Sequence, residues 1–587
     1  MAKPKALGPD SAHLCTFQEL PIGATAIGID PTGRKTGLWR YNRPQFVEKI
    51  PPCQNSCPLG NWVQKFIGEF AAENLQEAWK VLKLENPFPG VCGRVCSHLC
   101  EEGCNREGWD GSVSIKRLER FLADTFSENN EIPIKRRKKQ GKRVAILGSG
   151  PAGMSCAYFL TLLGYEATVF ESLSSLGGIP RIGIPDYRLP KEIVEKEING
   201  IVSLGIETKT DCRVGKDIPL EDLLKFDGVF VATGAHVERP LGIPGERIRG
   251  VVRGWEFLKQ CNLGECHPVG EEVLIVGGGN VAMDVARSVV RMGRRPKIIY
   301  RRTRDEMPAL HEEIEEAVEE GVEFHFLFSP VGIHQEGKGK LRLECSQMKL
   351  KGVDESGRPN PIPVKGAHRV FEAHQIIIAS GEVPDLSFLT KDFKRAGNGL
   401  WANEWGQTSV PHVFAGGDMT NTPRTIAHAI ASAKKAAIAM DRFLNGCDLS
   451  QSNSIPQSMR EHLGLSGHKF EFVPELAKSE DLNRAYAPSD ERSLPRKIPI
   501  EHRLKNFKEV NEGFSYEEAV REAQRCLSCG ICKMCGNCYL FCPDAAVASS
   551  VDGEGYLFNY DYCKGCGICE KECPVGAIIT RIEKGES

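Results

Sequence analysis

The sequence predicts a multidomain α/β and α chain. It should hold a helical cysteine-bearing unit near its start, two strand–turn–helix units, and a small cysteine-rich α+β unit at its end. Three observations carry that prediction. An apolar strand running into a glycine turn and a small-residue helix occurs twice, about 130 residues apart. Of 23 cysteines, six lie between Cys53 and Cys104 and ten between Cys526 and Cys573. A length of 587 residues suits roughly four domains.

Composition narrows the classes. Apolar residues make up 41% and charged residues 26%, ordinary values for a globular protein. Lys plus Arg (75) nearly balance Asp plus Glu (77), which argues against a nucleic-acid binder. No long uncharged apolar run suggests a membrane span, and Met1–Gly8 lacks the apolar core of a signal peptide, so a cytoplasmic chain is expected. Disulfide frameworks belong to small secreted chains, so two dense cysteine clusters here point to metal.

Taken in order, residues 1–50 read as an irregular arm. Val63, Phe66, Ile67 and Phe70 recur at helical spacing, so residues 51–135 read as a helix-rich unit. Lys135 to Lys139 read as a solvated linker. Arg143–Leu147 then leads into Gly148, Gly150 and Gly153 of a GxGxxG turn, and Glu272–Val276 leads into Gly277, Gly279, Asn280, Val281 and Ala282 of a second. Between a strand and a helix, such glycines allow a tight turn and close approach of a pyrophosphate to a helix N-terminus. Both units are therefore Rossmann-like.

The end of each second strand identifies the ribose. Glu171 stands 23 residues after Gly148, where a carboxylate suits FAD or NAD. Arg301 and Arg302 stand 24 and 25 residues after Gly277, where guanidinium groups can pair with a 2′-phosphate and favour NADP. A Glu-rich helix at 312–320 follows, then strands near Phe324–Phe328 and Gln375–Ile378. His311-Glu312-Glu313 lacks metal-binding spacing and reads as a helix surface. Cys261 and Cys266, five residues apart, precede the second glycine turn and do not read as a catalytic dithiol. Residues 448–525, rich in Ser, Pro and charge, read as a long connector.

The C-terminal cysteines form two runs. Cys532, Cys535, Cys538 and Cys542-Pro543 are followed by Cys563, Cys566, Cys569 and Cys573-Pro574, the bacterial two-cluster ferredoxin spacing. In that pattern the fourth cysteine of each run serves the other cluster. One cluster would take Cys532, Cys535, Cys538 and Cys573, and the other Cys563, Cys566, Cys569 and Cys542. Four-thiolate zinc is the rival reading.

Gly177-Gly178, Gly183-Ile-Pro185-Asp-Tyr-Arg188-Leu-Pro190, Ala232-Thr-Gly234 and Gly416-Gly417-Asp418 resemble motifs of the glutamate synthase small subunit. They are also similar to the N-terminal half of dihydropyrimidine dehydrogenase. The resemblance covers roughly residues 51–445. It implies FAD in the first unit, contacted by Gly178, Arg188, Thr233, Gly417 and Asp418. It also implies an NADP-binding domain (251–367) inserted in an FAD-binding domain (141–250 and 368–447) that resumes near Phe371. For the N-terminal cysteines it implies a two-cluster helical domain. Cys57, Cys96, Cys100 and Glu119 would hold one cluster, while Cys53 and Cys104 supply half of a second. The family's upstream CxxC is missing, yet Cys526 and Cys529 look like that element displaced to the head of the C-terminal unit (526–587). Four [4Fe-4S] clusters then use every clustered cysteine except Cys92.

The expected function is an NAD(P)H-dependent flavin iron–sulfur oxidoreductase subunit. It would exchange electrons with a redox protein or larger enzyme, such as a 2-oxoacid oxidoreductase, and need no side chain as acid or base. Only 78 residues separate Cys447 from Cys526, against roughly 250 for a flavin-binding barrel, so no pyrimidine site fits. The alternatives are an authentic glutamate synthase small subunit and an electron-relay module without independent turnover.

Overall fold

A computed structural model describes residues 37, 40–126, 134–337, 339–354, 357–449, 458–465, 470–550 and 555–583. Most of the arm expected at 1–50 lies outside them.

Two five-stranded parallel sheets form the centre. The first has the order Val413–Ala415, Gly228–Val231, Arg143–Leu147, Glu166–Phe170, Glu207–Lys209. The second has the order Glu323–Phe326, Arg295–Tyr300, Glu272–Val276, Gln375–Ile378, Val251–Arg253. Their inner strands are nearly continuous apolar runs because both faces are covered; in the second sheet helices cover one face and the antiparallel meander of Leu343 and Phe371 the other. Helix Pro151–Leu162 starts with Pro151, whose fixed φ suits a first turn, and is buried along almost its whole length. It packs against helix Ile426–Leu444, which covers the same sheet.

The chain resumes the first sheet later than expected. Phe371 lies on strand Pro359–Ala373 of an antiparallel meander and packs in the core of the second unit, with Leu274 and Ile376. Gln375–Ile378 then pairs with Glu272–Val276 and Val251–Arg253. The boundary expected at 367/368 thus falls after Ile378, because an apolar strand can add to either sheet and only long-range pairing decides.

The helical unit breaks the expected run into helices Val63–Ala71 and Leu75–Glu85 at Glu73, whose φ is +61°. Val63, Phe66, Ile67 and Phe70 all face inward, as their spacing predicts. Two expectations fail around it. The arm ends in strand Asn42–Ile50, the centre of a three-stranded sheet with Glu471–Leu476 and Ile578–Ile582. The 448–525 segment is no loose connector either. Its helix Tyr516–Gln524 seats Ala519 and Ala523 in the core beside Phe66 and Phe70. Lys497 and Arg503 pair with Glu316 and Glu319 of the second nucleotide unit at 2.8 and 2.9 Å. No helix among the described residues is long and apolar enough to cross a membrane.

Candidate functional site

The first glycine turn shows three different demands. Gly148 has φ +100°, and a Cβ there would meet the Ala232 carbonyl at 2.4 Å. A Cβ on Gly153 would lie 1.9 Å from the Gly148 carbonyl, so the helix can approach the strand only without a side chain. Gly150 faces open space, where a Cβ would fill the cradle. That space belongs to a cavity of about 530 Å³ whose wall includes Glu171, Gly178, Thr233, Gly417 and Asp418. Glu171 accepts hydrogen bonds from Ser149 N (3.0 Å) and Ser149 Oγ (2.6 Å), which fixes its carboxylate at the rim. Burial pushes the Asp418 carboxyl up, against the pull of Arg424. An open cradle, a helix N-terminus and a rim carboxylate fit a dinucleotide such as FAD.

Arg188 does not line this cavity. Its Nη1 lies 2.8 Å from Asp284 Oδ2 and its Nε 2.7 Å from Glu313 Oε1, so it clamps the two nucleotide units together. Glu313 also pairs with fully buried Arg287, and Glu312 holds Lys116 (2.9 Å) and Arg117 (2.6 Å) of the helical unit. The expected helix surface at His311–Glu313 is therefore an interface beyond His311. Local spacing cannot reveal partners that come from other domains.

In the second turn, Gly277 has φ +148° and sits against the Ala379 carbonyl, while Gly279 has only Pro308 near a would-be Cβ, at 3.9 Å. Asn280 Oδ1 accepts Leu310 N at 3.0 Å, and half-buried Val281 opens the helix. Ala282, in the third slot, is fully buried. The two arginines part company here. Arg301 is exposed, whereas buried Arg302 is engaged by Asp354 and by the Pro359 carbonyl at 2.8 Å. The open turn and Arg301 fit a phosphorylated nicotinamide dinucleotide, and Arg302 braces the neighbouring loop. Cys261 and Cys266 are joined as a disulfide at the end of helix Gly254–Asn262.

The cysteines gather in four sets. Cys57, Cys96 and Cys100 stand around Glu119, whose Oε1 accepts Asn61 Nδ2 at 2.8 Å. Burial pushes Glu119 up to about 8, with Glu101 and Glu197 adding to the rise. Burial and then Glu119 push the Cys57 thiol up to about 11 and the Cys96 thiol to about 12. Cys53, Cys104, Cys526 and Cys529 line a second, small cavity. Cys542, Cys563, Cys566 and Cys569 line a third. Cys532, Cys535 and Cys573, ahead of Cys569, raise the Cys538 thiol further after burial has raised it, so these four form the last set.

Peptide N–H groups of His98, Ala546 and Ala577 donate to Cys96, Cys542 and Cys573 sulfurs at 3.2–3.4 Å, the environment thiolate ligands use. Four-thiolate zinc would draw the sulfurs to about 3.8 Å from one another. Among the described residues no three such side chains converge on a single ion. The donor sets fit iron–sulfur cubanes. Cys92 is buried beside the Cys57 set, where Cys96 and then Glu119 add to the rise that burial gives its thiol, and its Sγ donates to Asn86 Oδ1 at 3.8 Å.

Sequence reasoning missed Lys434. It is buried on helix Ile426–Leu444, pairs with Glu85, donates to the Leu59 carbonyl and lies close enough to lower the Cys57 thiol. A lone lysine in an Ala-rich helix carries no sequence signal.

A family profile described as pyridine nucleotide-disulphide oxidoreductase matches residues 142–433. One described as dihydropyrimidine dehydrogenase domain II, 4Fe-4S cluster, matches 47–131, and a 4Fe-4S binding domain matches 556–579. The chain is 36% identical to the NADP(+)-dependent formate dehydrogenase subunit beta of Moorella thermoacetica, over 81% of this chain and 70% of that one. It is 34% identical to the glutamate synthase [NADPH] small chain of Escherichia coli, over 67% and 89%. The chain belongs to the glutamate synthase small-chain family. The chain is also 34% identical to the NADPH-Fe(3+) oxidoreductase subunit beta of Geobacter sulfurreducens, over 83% of this chain and 76% of that one. The chain is an NADPH-dependent flavin iron–sulfur oxidoreductase with ferredoxin-type domains.

Proposed function

We propose that the chain is the NADP(H)-handling subunit of a larger redox assembly, passing electrons between NADP(H) and a protein partner through FAD and four [4Fe-4S] clusters. In this reading residues 141–250 and 379–447 hold FAD, and the inserted residues 251–378 hold NADP(H). When bound, FAD accepts a hydride from NADPH and gives up its electrons singly to iron–sulfur clusters.

The chain's own residues supply position and field. The Gly148–Gly153 turn receives the flavin pyrophosphate and Glu171 the ribose, with Gly417 and Asp418 closing the other side. Arg301 takes the 2′-phosphate, and the Arg188 clamp holds the coenzyme unit against the flavin unit. Cys57, Cys96, Cys100 and Glu119 hold the cluster nearest the flavin. The carrying observation is helix Ile426–Leu444. Its first turn lines the flavin cavity at Ile426 and Ala429, and Lys434, two turns on, lies beside the Cys57 set. One rigid element thereby spans donor and first acceptor.

The partner reading is a redox protein or a low-potential enzyme, by analogy with relatives named as subunits. The test is NADPH-dependent reduction of a dye by the isolated chain. An independent oxidoreductase reduces it; a relay without its own turnover does not.

A further inference from the structure

We propose that Cys53 and Cys104 from one end of the chain and Cys526 and Cys529 from the other together hold one [4Fe-4S] cluster, which joins the helical unit to the ferredoxin unit. This rests on the iron–sulfur reading above and extends it to a site built from two segments more than 400 residues apart.

The four cysteines line one cavity whose remaining wall is largely apolar, including Val63, Ile67, Val113 and Ile115. Four thiolates in a dry cage are the ligand set of a cubane.

The protein holds the two segments together by itself. Arg525, adjacent to Cys526, is buried and donates to the carbonyls of Gly111 (2.7 Å) and Ser112 (3.2 Å), in the loop that follows Cys104. Arg106 returns the contact by donating to the Arg525 carbonyl. Glu522 accepts Ser114 N and Ser493 N, each at 2.8 Å. On the far side, Gly530 N donates to the Val575 carbonyl (2.6 Å) and Lys49 N to the Gly530 carbonyl (3.0 Å). The Cys526–Cys529 loop is thus pinned to the helical unit on one flank and to the ferredoxin unit on the other. Preorganised ligands are what a cluster site needs.

The site also has a place in the relay. One neighbour is the Cys57 set, since Cys53 sits in the first turn of the short helix Pro52–Ser56 and Cys57 caps its end. The other is the Cys532 set, which begins three residues beyond Cys529. A cluster here bridges flavin-side and exit-side clusters.

The test compares iron content and EPR spectra of the full chain carrying Cys526→Ser with Cys529→Ser, Cys53→Ser with Cys104→Ser, or all four. Each double variant should lose the same signal and about four iron atoms, and the quadruple variant should lose no more. Cys92→Ser should lose none. Full iron in the Cys526/Cys529 variant, or a loss of about eight iron atoms in the quadruple variant, would overturn the shared site. If the variants do not fold, iodoacetamide labelling of the unaltered chain decides. Stepwise iron chelation should expose Cys53, Cys104, Cys526 and Cys529 together; labelling of Cys526 and Cys529 before any iron leaves overturns the proposal. Persistent FAD reduction by NADPH alongside such a result would leave the functional reading intact.

Discussion

Glu238 and Glu382 face each other in register across a two-stranded antiparallel ribbon, Val237–Glu238 with Glu382–Val383. The chain passes through this ribbon both on leaving the first nucleotide sheet and on returning to it. Like charges directly opposite one another on a ribbon are unfavourable. Burial, with Glu382 and Glu256 adding to it against the Trp255 N–H and Arg253, pushes Glu238 up to about 7.

That position fixes a pH dependence. The unfolded Glu238 loses its proton near 4.5, while the folded carboxyl keeps it to about 7. Its stabilising contribution is therefore complete below about pH 4.5 and disappears as pH rises through about 7. Glu238→Gln should be more stable than the parent at pH 8, by on the order of 1 kcal/mol, and the gain should shrink by pH 5.5. Thermal unfolding across that range checks it; a constant difference contradicts it.

Removing the clamp should cost more. Arg188→Met leaves Asp284 and Glu313 buried without that partner, a loss of about 3–5 kcal/mol. Arg188→Lys should recover little, because one ammonium cannot reproduce the fork that reaches both carboxylates. Denaturant midpoints of the three proteins measure this, and a shift worth under about 1 kcal/mol would show the contact to be incidental.

Coenzyme choice should separate the two arginines. Arg301→Gln should weaken NADPH by about 1.5–3 kcal/mol, roughly ten- to a hundredfold, and leave NADH nearly unchanged. Arg302→Gln should affect both coenzymes alike, through the loop braced at Asp354 and Pro359. KM values for both coenzymes give the answer, and equal effects from Arg301→Gln would remove it from the phosphate site.

Lys434 should tune the nearest cluster. A buried cation favours the more reduced, more negative state, so Lys434→Met should lower one cluster potential by about 60 mV for each tenfold change in that preference. Lys434→Arg should preserve it. An EPR-monitored redox titration reads this directly, and unchanged potentials would confine Lys434 to pairing with Glu85.

Much of this was legible in the sequence where the signal is local. Strands Arg143–Leu147, Glu272–Val276 and Gln375–Ile378 stand where their apolar runs place them. The glycine turns, with Gly148, Gly153 and Gly277 in tight quarters, are spacing rules that the backbone enforces. What escaped is held together at long range. Strand Asn42–Ile50 pairs with segments more than 400 residues away, so nothing beside it marks it as a strand. Helix Tyr516–Gln524 hides in a polar stretch because only Ala519, Ala523 and Glu522 need burial. Arg188 sits within a flavin-family motif, yet Asp284 and Glu313 claim its charge across the domain junction.

The most direct test of the central claim is an anaerobic titration of the purified chain with NADPH, following flavin absorbance and low-temperature EPR in one sample. The account predicts that flavin absorbance bleaches and reduced-cluster signals appear together, in a protein holding one FAD and about sixteen iron atoms. Bleaching with no cluster signal, or zinc in place of iron, would contradict it.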